Sequence, residues 1–352
     1  MSGTEEKQNK ERRDRETEKR TIRLSVRTFV EFLLRSGDLD SRRGGWADKE
    51  AMQAGARAHR KIQKSRGASY RSEVPLKWEK EYPQYVLLIE GRADGIFEED
   101  GMTVIEEIKG TYGDPGKMEG PSEVHLAQAR CYAYMTALRE QEERIRICMT
   151  YVQLETEEIR RFVSEETKES LEKWFCEVVC MYEPWAAFLV RWEEKRDASI
   201  RSLEFPFPYR EGQKGLVADI YRTILRKKQV FVQAPTGVGK TVSALYPAVR
   251  AMGEGLVSRV FYLTAKNTTA ITAEETFSIL KEKGLFCKSL TLTAREKICI
   301  NSEVRCDPVS CPFAAGHYDR INEVLYQTLT HQNTLDRTTI LEAAETLKTT
   351  IR

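Results

Sequence analysis

Two clusters of residues in this sequence have types and spacings suited to chemistry. The first is Gln-Ala-Pro-Thr-Gly-Val-Gly-Lys-Thr at 233–241, set between an apolar run, 230–233, and a stretch of helical spacing, 241–252. Gly237 and Gly239 let the backbone turn its N–H groups inward, where triphosphate oxygens sit at the positive end of a helix. Lys240 brings a point charge to the β- and γ-phosphates, and the Thr241 hydroxyl brings a ligand for Mg²⁺. Thr236 belongs to the same nucleotide-binding loop. The second cluster lies in 85–110, which reads as two strands joined by a tight turn at Asp100-Gly101. Asp94 falls toward the end of the first strand. Glu107 and Lys109, two apart on the second, share one face. Two carboxylates and a lysine meet the needs of phosphodiester hydrolysis: the acids hold one or two Mg²⁺ or Mn²⁺ ions, and the lysine steadies the attacking water or the developing charge.

The elements that must position these groups divide the chain. Its 352 residues suit about two domains. Residues 1–23 are almost wholly polar and read as a charged, disordered tail without a secretory leader. A mixed helix and strand pattern fills 24–192, the charged stretch 193–204 reads as a linker or helix end, and a second unit occupies 205–352. The fold class is therefore α/β. A net charge of +2 gives no global attraction for nucleic acid, so any such surface is a local patch. The most apolar helical segment, 176–192, is interrupted by Glu177, Glu183 and Pro184, which predicts a cytoplasmic protein with no membrane span. Eight cysteines in a reducing compartment imply free thiols or metal ligands.

The order Asp94-x12-Glu107-x-Lys109 resembles the PD-(D/E)XK nucleases. Two further features resemble their RecB-like branch: His59, where the branch has a histidine metal ligand, and Gln128 with Tyr132, which match its QxxxY motif on one helix face. The resemblance covers most of 24–192 and implies a metal site at His59, Asp94 and Glu107, with Lys109, Gln128 and Tyr132 in the catalytic set. Glu73 is either an additional carboxylate or an exposed strand residue. Cys131, Cys148, Cys176 and Cys180 lack the spacing of the iron–sulfur cluster some of these nucleases carry, and they read as core thiols.

The loop at 233–241 resembles the first motif of superfamily 2 helicases, with Ala234 where the general phosphate-loop pattern has glycine. Gln213, about twenty residues upstream, resembles the helicase Q motif, which implies recognition of the adenine edge. The stretch 258–270 reads as a strand ending like the DNA-contacting motif Ia, which implies DNA contacts from Thr264, Lys266 and Asn267. Cys299, Cys306 and Cys311, spaced C-x6-C-x4-C, resemble the cysteines of the DinG and XPD iron–sulfur helicases. That implies a [4Fe–4S] cluster in the complete protein, with its fourth ligand absent here. Zinc bound by the three cysteines and His317 is the alternative.

After Thr241 no apolar strand closes on an acidic pair, so the motor reads as an incomplete P-loop (RecA-like) domain that ends early. Together these resemblances imply the first part of a DinG-like, ATP-dependent DNA helicase joined to a metal-dependent nuclease. Its partners would be ATP and single-stranded or branched DNA, in repair or processing, while this chain itself binds ATP without unwinding. An inactive nuclease fold that only binds DNA, and a P-loop nucleotide-binding regulator, are the rival readings.

Overall fold

The chain opens with a device that fixes its first helix. Strand β1 (Arg20–Ser25) ends at Ser25, whose hydroxyl accepts the Thr28 N–H at 3.0 Å and caps α1 (Val26–Leu34). Val26, Phe29 and Val30 recur at helical spacing and are buried, which leaves Arg27 and Glu31 on another face. There follow α2 (Lys49–Ser65), β2 (Arg71–Glu81), β3 (Tyr85–Glu99), β4 (Met102–Thr111), α3 (Glu123–Glu140), β5 (Arg144–Gln153), β6 (Ile159–Thr167) and the long α4 (Lys168–Ser202). These belong to a computed structural model that describes residues 19–42, 49–67, 69–235 and 237–347. Residues 1–18 of the expected tail lie outside the described residues, whereas 20–23 belong to β1.

Six strands form one mixed sheet in the order β1-β3-β4-β5-β6, with β2 on the other edge of β3. The 15-residue β3 is long enough for β1 and β4 to share its remaining edge. Strand β1 runs parallel along Tyr85–Glu90, and β4 runs antiparallel along Gly95–Glu99. Residues 91–94 fall between the two, and Asp94 stands in that gap. On the β2 side the ladder skips the position where Glu73 faces Asp94, and Glu73 takes a left-handed backbone with φ 52°. The turn expected between β3 and β4 is present, with positive φ at Asp100 and Gly101. Leu87, Ile89, Ile105, Ile108, Ile145 and Ile147 from the central strands are buried, as are Leu171 and Phe175 of α4.

Two compact units emerge. The first holds the described residues up to Ala187 together with Thr293–Thr328 and the segment from Ile340; the second holds Phe188–Leu292 and Leu329–Thr339. The later elements are α5 (Gln213–Leu225), α6 (Lys240–Gly253), α7 (Asn267–Glu282), β7 (Ser289–Leu290), α8 (Arg295–Ile298), α9 (His317–His331), β8 (Thr334–Leu335) and α10 (Arg337–Leu347). Ile200, Leu203, Val249, Met252, Leu280 and Leu285 make the core of the second unit.

Several sequence expectations are corrected. The stretch 193–204 is helical as far as Ser202, because α4 continues through it. Cys131 and Cys148 are core thiols, but Cys176 and Cys180 lie on an exposed face of α4. Residues 230–233 and 258–263, expected as strands, have no regular structure and stand exposed, with Phe231 at 94% and Leu263 at 88%. Apolar β-formers settle into strands only beside hydrogen-bonded neighbours. Among the described residues the second unit offers one parallel ladder, β7 with β8, and neither run joins it.

Candidate functional site

The first unit holds a cavity of about 310 Å³ bordered by His59, Asp94, Glu107, Lys109 and Gln128, all expected from sequence, and by Arg27, Glu31 and His125, which were not. Strand β4 explains why the acids meet. Its ladder to β3 ends at the Gly95–Glu106 pair, and beyond that point β4 bonds only to β5. The released Ile108 N–H donates to Asp94 Oδ2 at 2.7 Å, so the carboxylate completes the backbone hydrogen bonding where the sheet opens. Asp94 Oδ1 lies 3.4 Å from His59 Nδ1 on α2. Gln63, one turn further along α2, donates to the Asp94 carbonyl at 3.0 Å and takes the place left by the missing β2 pair. Helix α2 is thereby tied to the strand that carries the acid.

Glu107 and Glu106 point to opposite faces, as strand alternation requires. Glu106 is fully buried in a polar network behind the cavity, ion-paired with Arg66 and accepting from the Thr150 hydroxyl at 2.7 Å. Glu107 is 1% exposed. Its Oε1 lies 2.8 Å from Lys109 Nζ, while its Oε2 is buried with no hydrogen-bond partner. Burial, then the charge of Asp94, pushes the Glu107 carboxyl up to about 7, against the pull of Lys109 and His59. Burial works against a His59 cation, but the hydrogen bond to Asp94 and the charges of Asp94 and Glu107 outweigh it and raise its pKa. Lys109 Nζ also donates to Gln128 Oε1 at 3.0 Å, and Gln128 in turn hydrogen-bonds Tyr132. Tyr132 itself is buried beneath the cavity and packs on Gly91, where a Cβ would stand 2.6 Å from its hydroxyl. It steadies Gln128 and does not border the cavity. Glu73 is exposed, does not border the cavity either, and receives the Gln63 amide at 3.3 Å.

Among the described residues, no group of three or more His, Cys, Asp or Glu side chains is arranged to hold a metal ion. The donor set nevertheless suits a hard divalent cation: Glu107, which borders the cavity together with Asp94, has a buried carboxylate oxygen without a hydrogen-bond partner. His125 and Arg27 were legible only in part. His125 sits three residues before Gln128, on the same helix face, and Arg27 with Glu31 forms an i,i+4 pair just after the Ser25 cap.

In the second unit the phosphate loop has the expected glycines in left-handed conformations, Gly237 at φ 86° and Gly239 at φ 75°, the latter capping α6. Thr236 lies outside the described residues. Lys240 Nζ donates to the carbonyls of Ala234 at 3.0 Å and Pro235 at 2.9 Å, and Thr241 follows it in the first turn of α6. Gln213 is buried, and its amide is taken up by the protein. It donates to the Val238 carbonyl at 3.0 Å and the Ser243 hydroxyl at 3.2 Å, and it accepts the Arg210 N–H at 3.0 Å. Thr264 accepts the Lys266 N–H at 3.1 Å ahead of α7, with both residues exposed and Asn267 opening the helix.

The three cysteines expected as cluster ligands share the lining of a cavity, without forming a group arranged to hold a metal ion among the described residues. Cys299, Cys306 and Cys311 border one small cavity in the first unit, with Asn301 Nδ2 donating to Cys311 Sγ at 3.2 Å. His317, the expected zinc alternative, is buried but not among the residues that border it.

Residues 214–335, about a third of the chain, match the family model for the DEAD/DEAH box helicase. A stretch of 47 residues is 49% identical to the probable ATP-dependent helicase MJ0942 of Methanocaldococcus jannaschii. The match covers 13% of this chain and 7% of that protein's length. A solved structure described as the crystal structure of SSO0001 aligns over 50% of this chain and 83% of its own, at 19% identity and a TM-score of 0.30. Both of the first two findings are likenesses to helicases, one over about a third of the chain and the other over 47 residues. Among the described residues, no helix is long and apolar enough to cross a membrane.

Proposed function

We propose that the first unit is a RecB-like PD-(D/E)XK nuclease domain that cuts single-stranded or branched DNA, joined to the ATP-binding segment of a DinG-like helicase acting in DNA repair or processing. One observation carries the nuclease reading: the buried Glu107 carboxylate has an unpartnered oxygen beside Asp94 and within reach of Lys109. Asp94, Glu107 and His59 would hold Mg²⁺ or Mn²⁺. The bound ion would polarise the scissile phosphate and lower the pKa of a water. Asp94 is oriented for this by Ile108 N–H and His59. Lys109, held by Gln128, keeps its ammonium at the cavity wall, where it balances charge building on the phosphoryl oxygens.

In the second unit, Gly237, Gly239, Lys240 and Thr241 would receive the ATP phosphates and Mg²⁺ once Lys240 releases the Ala234 and Pro235 carbonyls. Gln213 braces the loop from behind. Thr264, Lys266 and Asn267 would take nucleic-acid phosphates. Cys299, Cys306 and Cys311 would ligate a [4Fe–4S] cluster, whose thiolate chemistry matches three cysteines around one cavity; a fourth ligand would have to join them. The test is Mn²⁺- or Mg²⁺-dependent cleavage of single-stranded and flapped DNA by the purified chain. Asp94→Ala and Lys109→Ala should abolish it. Cleavage that persists unchanged in both variants refutes the assignment, and DNA binding without cleavage in the wild type favours the inactive-module alternative.

A further inference from the structure

His125 is the one imidazole on the cavity wall besides His59, and its protonation pattern is fixed by neighbours behind it. Its Nδ1 lies 2.9 Å from the Tyr151 hydroxyl. That hydroxyl also accepts the Ser122 N–H at 3.0 Å, at the start of α3. A backbone amide can only donate, so the phenol oxygen is the acceptor in that bond. Tyr151 is buried, and its own proton has one acceptor among the described residues, the His125 Nδ1. The ring proton of a neutral His125 therefore sits on Nε2. Burial, with the Lys109 charge behind it, holds the ring's pKa down to about 4, which keeps it neutral in ordinary buffers. Nε2 has no protein partner among the described residues, and His125 borders the cavity together with Lys109, Gln128 and the acids.

Resting on the nuclease reading, we propose that His125 is a fixed, uncharged hydrogen-bond donor whose Nε2–H binds a non-bridging oxygen of the nucleic-acid phosphodiester. The division of labour follows from charge. A cationic imidazole would compete with the metal for the carboxylates, whereas a neutral ring donates to the phosphate without doing so. The Ser122–Tyr151–His125 chain sets the donor in place before substrate arrives, so little reorganisation is needed as charge builds on the phosphoryl oxygens.

The two amide replacements separate this role from packing. A glutamine amide reaches the place of Nε2, whereas an asparagine amide reaches that of Nδ1 and serves only the Tyr151 hydroxyl. The experiment uses the full chain with Mn²⁺ and a single-stranded oligonucleotide, and compares His125→Ala, His125→Asn and His125→Gln. The Ala and Asn variants should lose about 10²-fold in kcat, the usual effect of removing one such donor. Gln should recover most of that loss, and Mn²⁺ affinity should be unchanged in all three. Asn performing as well as Gln or better, or all three matching wild type, overturns the proposal. Anisotropy of the labelled oligonucleotide in Ca²⁺ separates the two readings. If wild type binds without cutting, the nuclease reading fails and the donor is judged by the same Gln-over-Asn order in Kd. If wild type neither binds nor cuts, both fail.

Discussion

Replacing Glu107 with glutamine should make the metal-free protein more stable at neutral and alkaline pH, although the residue lies in the proposed catalytic centre. The carboxyl is buried and its pKa stands at about 7 in the folded protein, against 4.5 as the ordinary value. A raised carboxyl pKa means that the folded state holds the proton more tightly. The associated stability is fully present below about pH 4.5 and is lost as pH rises through about 7. With 1.36 kcal/mol per pKa unit, ionised Glu107 costs about 3 kcal/mol at pH 8 and under about 1 kcal/mol at pH 5. Glutamine removes that pH-dependent cost. Mn²⁺ should remove it too, by supplying the partner that Oε2 lacks. The assay is thermal unfolding of the full chain at pH 5 and pH 8, with and without Mn²⁺. Wild type should gain substantially from Mn²⁺ at pH 8 and little at pH 5, and Glu107→Gln should gain little at either. Equal Mn²⁺ stabilisation of the two proteins, or an unaltered pH dependence in the variant, refutes the reasoning.

Other expected outcomes test the scaffold. Arg66→Met removes the nearer of two cations paired with the fully buried Glu106, leaving Arg161 at 3.7 Å, and should cost up to about 3–5 kcal/mol in urea unfolding, with a smaller loss when Glu106→Gln accompanies it. Gly91→Ala places a Cβ 2.6 Å from the Tyr132 hydroxyl and should cost about 1–3 kcal/mol, partly relieved by Tyr132→Phe. Gln213→Leu removes the donor to the Val238 carbonyl and Ser243 hydroxyl, so it should cost about 1–3 kcal/mol and weaken nucleotide binding in a titration with a fluorescent ATP analogue.

The β3–β4 hairpin was legible because Asp100-Gly101 and strand alternation are local signals, and the same alternation put Glu107 and Lys109 on one face. His59 and Gln128 border one cavity with those residues. Less legible was how Asp94 is held. Its position depends on β1 and β4 sharing one edge of β3, which is a matter of long-range pairing and leaves no trace in spacing. His125 hid for a similar reason: it lies on α3, and its tautomer depends on Tyr151, 26 residues away on β5. In the second unit, local signals misled. Residues 230–233 and 258–263 have the composition of strands, but composition cannot supply a neighbour.

Those two exposed runs also govern how the molecule behaves toward copies of itself. Val230, Phe231 and Val232, and then Val260, Phe261, Tyr262 and Leu263, present apolar side chains together with backbone that no described strand pairs. Such segments are templates for edge-to-edge pairing between molecules. A net charge of +2 on 352 residues supplies little repulsion to oppose it. Association through these runs would grow with concentration, so light scattering should rise in concentrated samples well below the unfolding temperature. A lysine placed at Phe231 or Leu263 should suppress that scattering without touching either cavity.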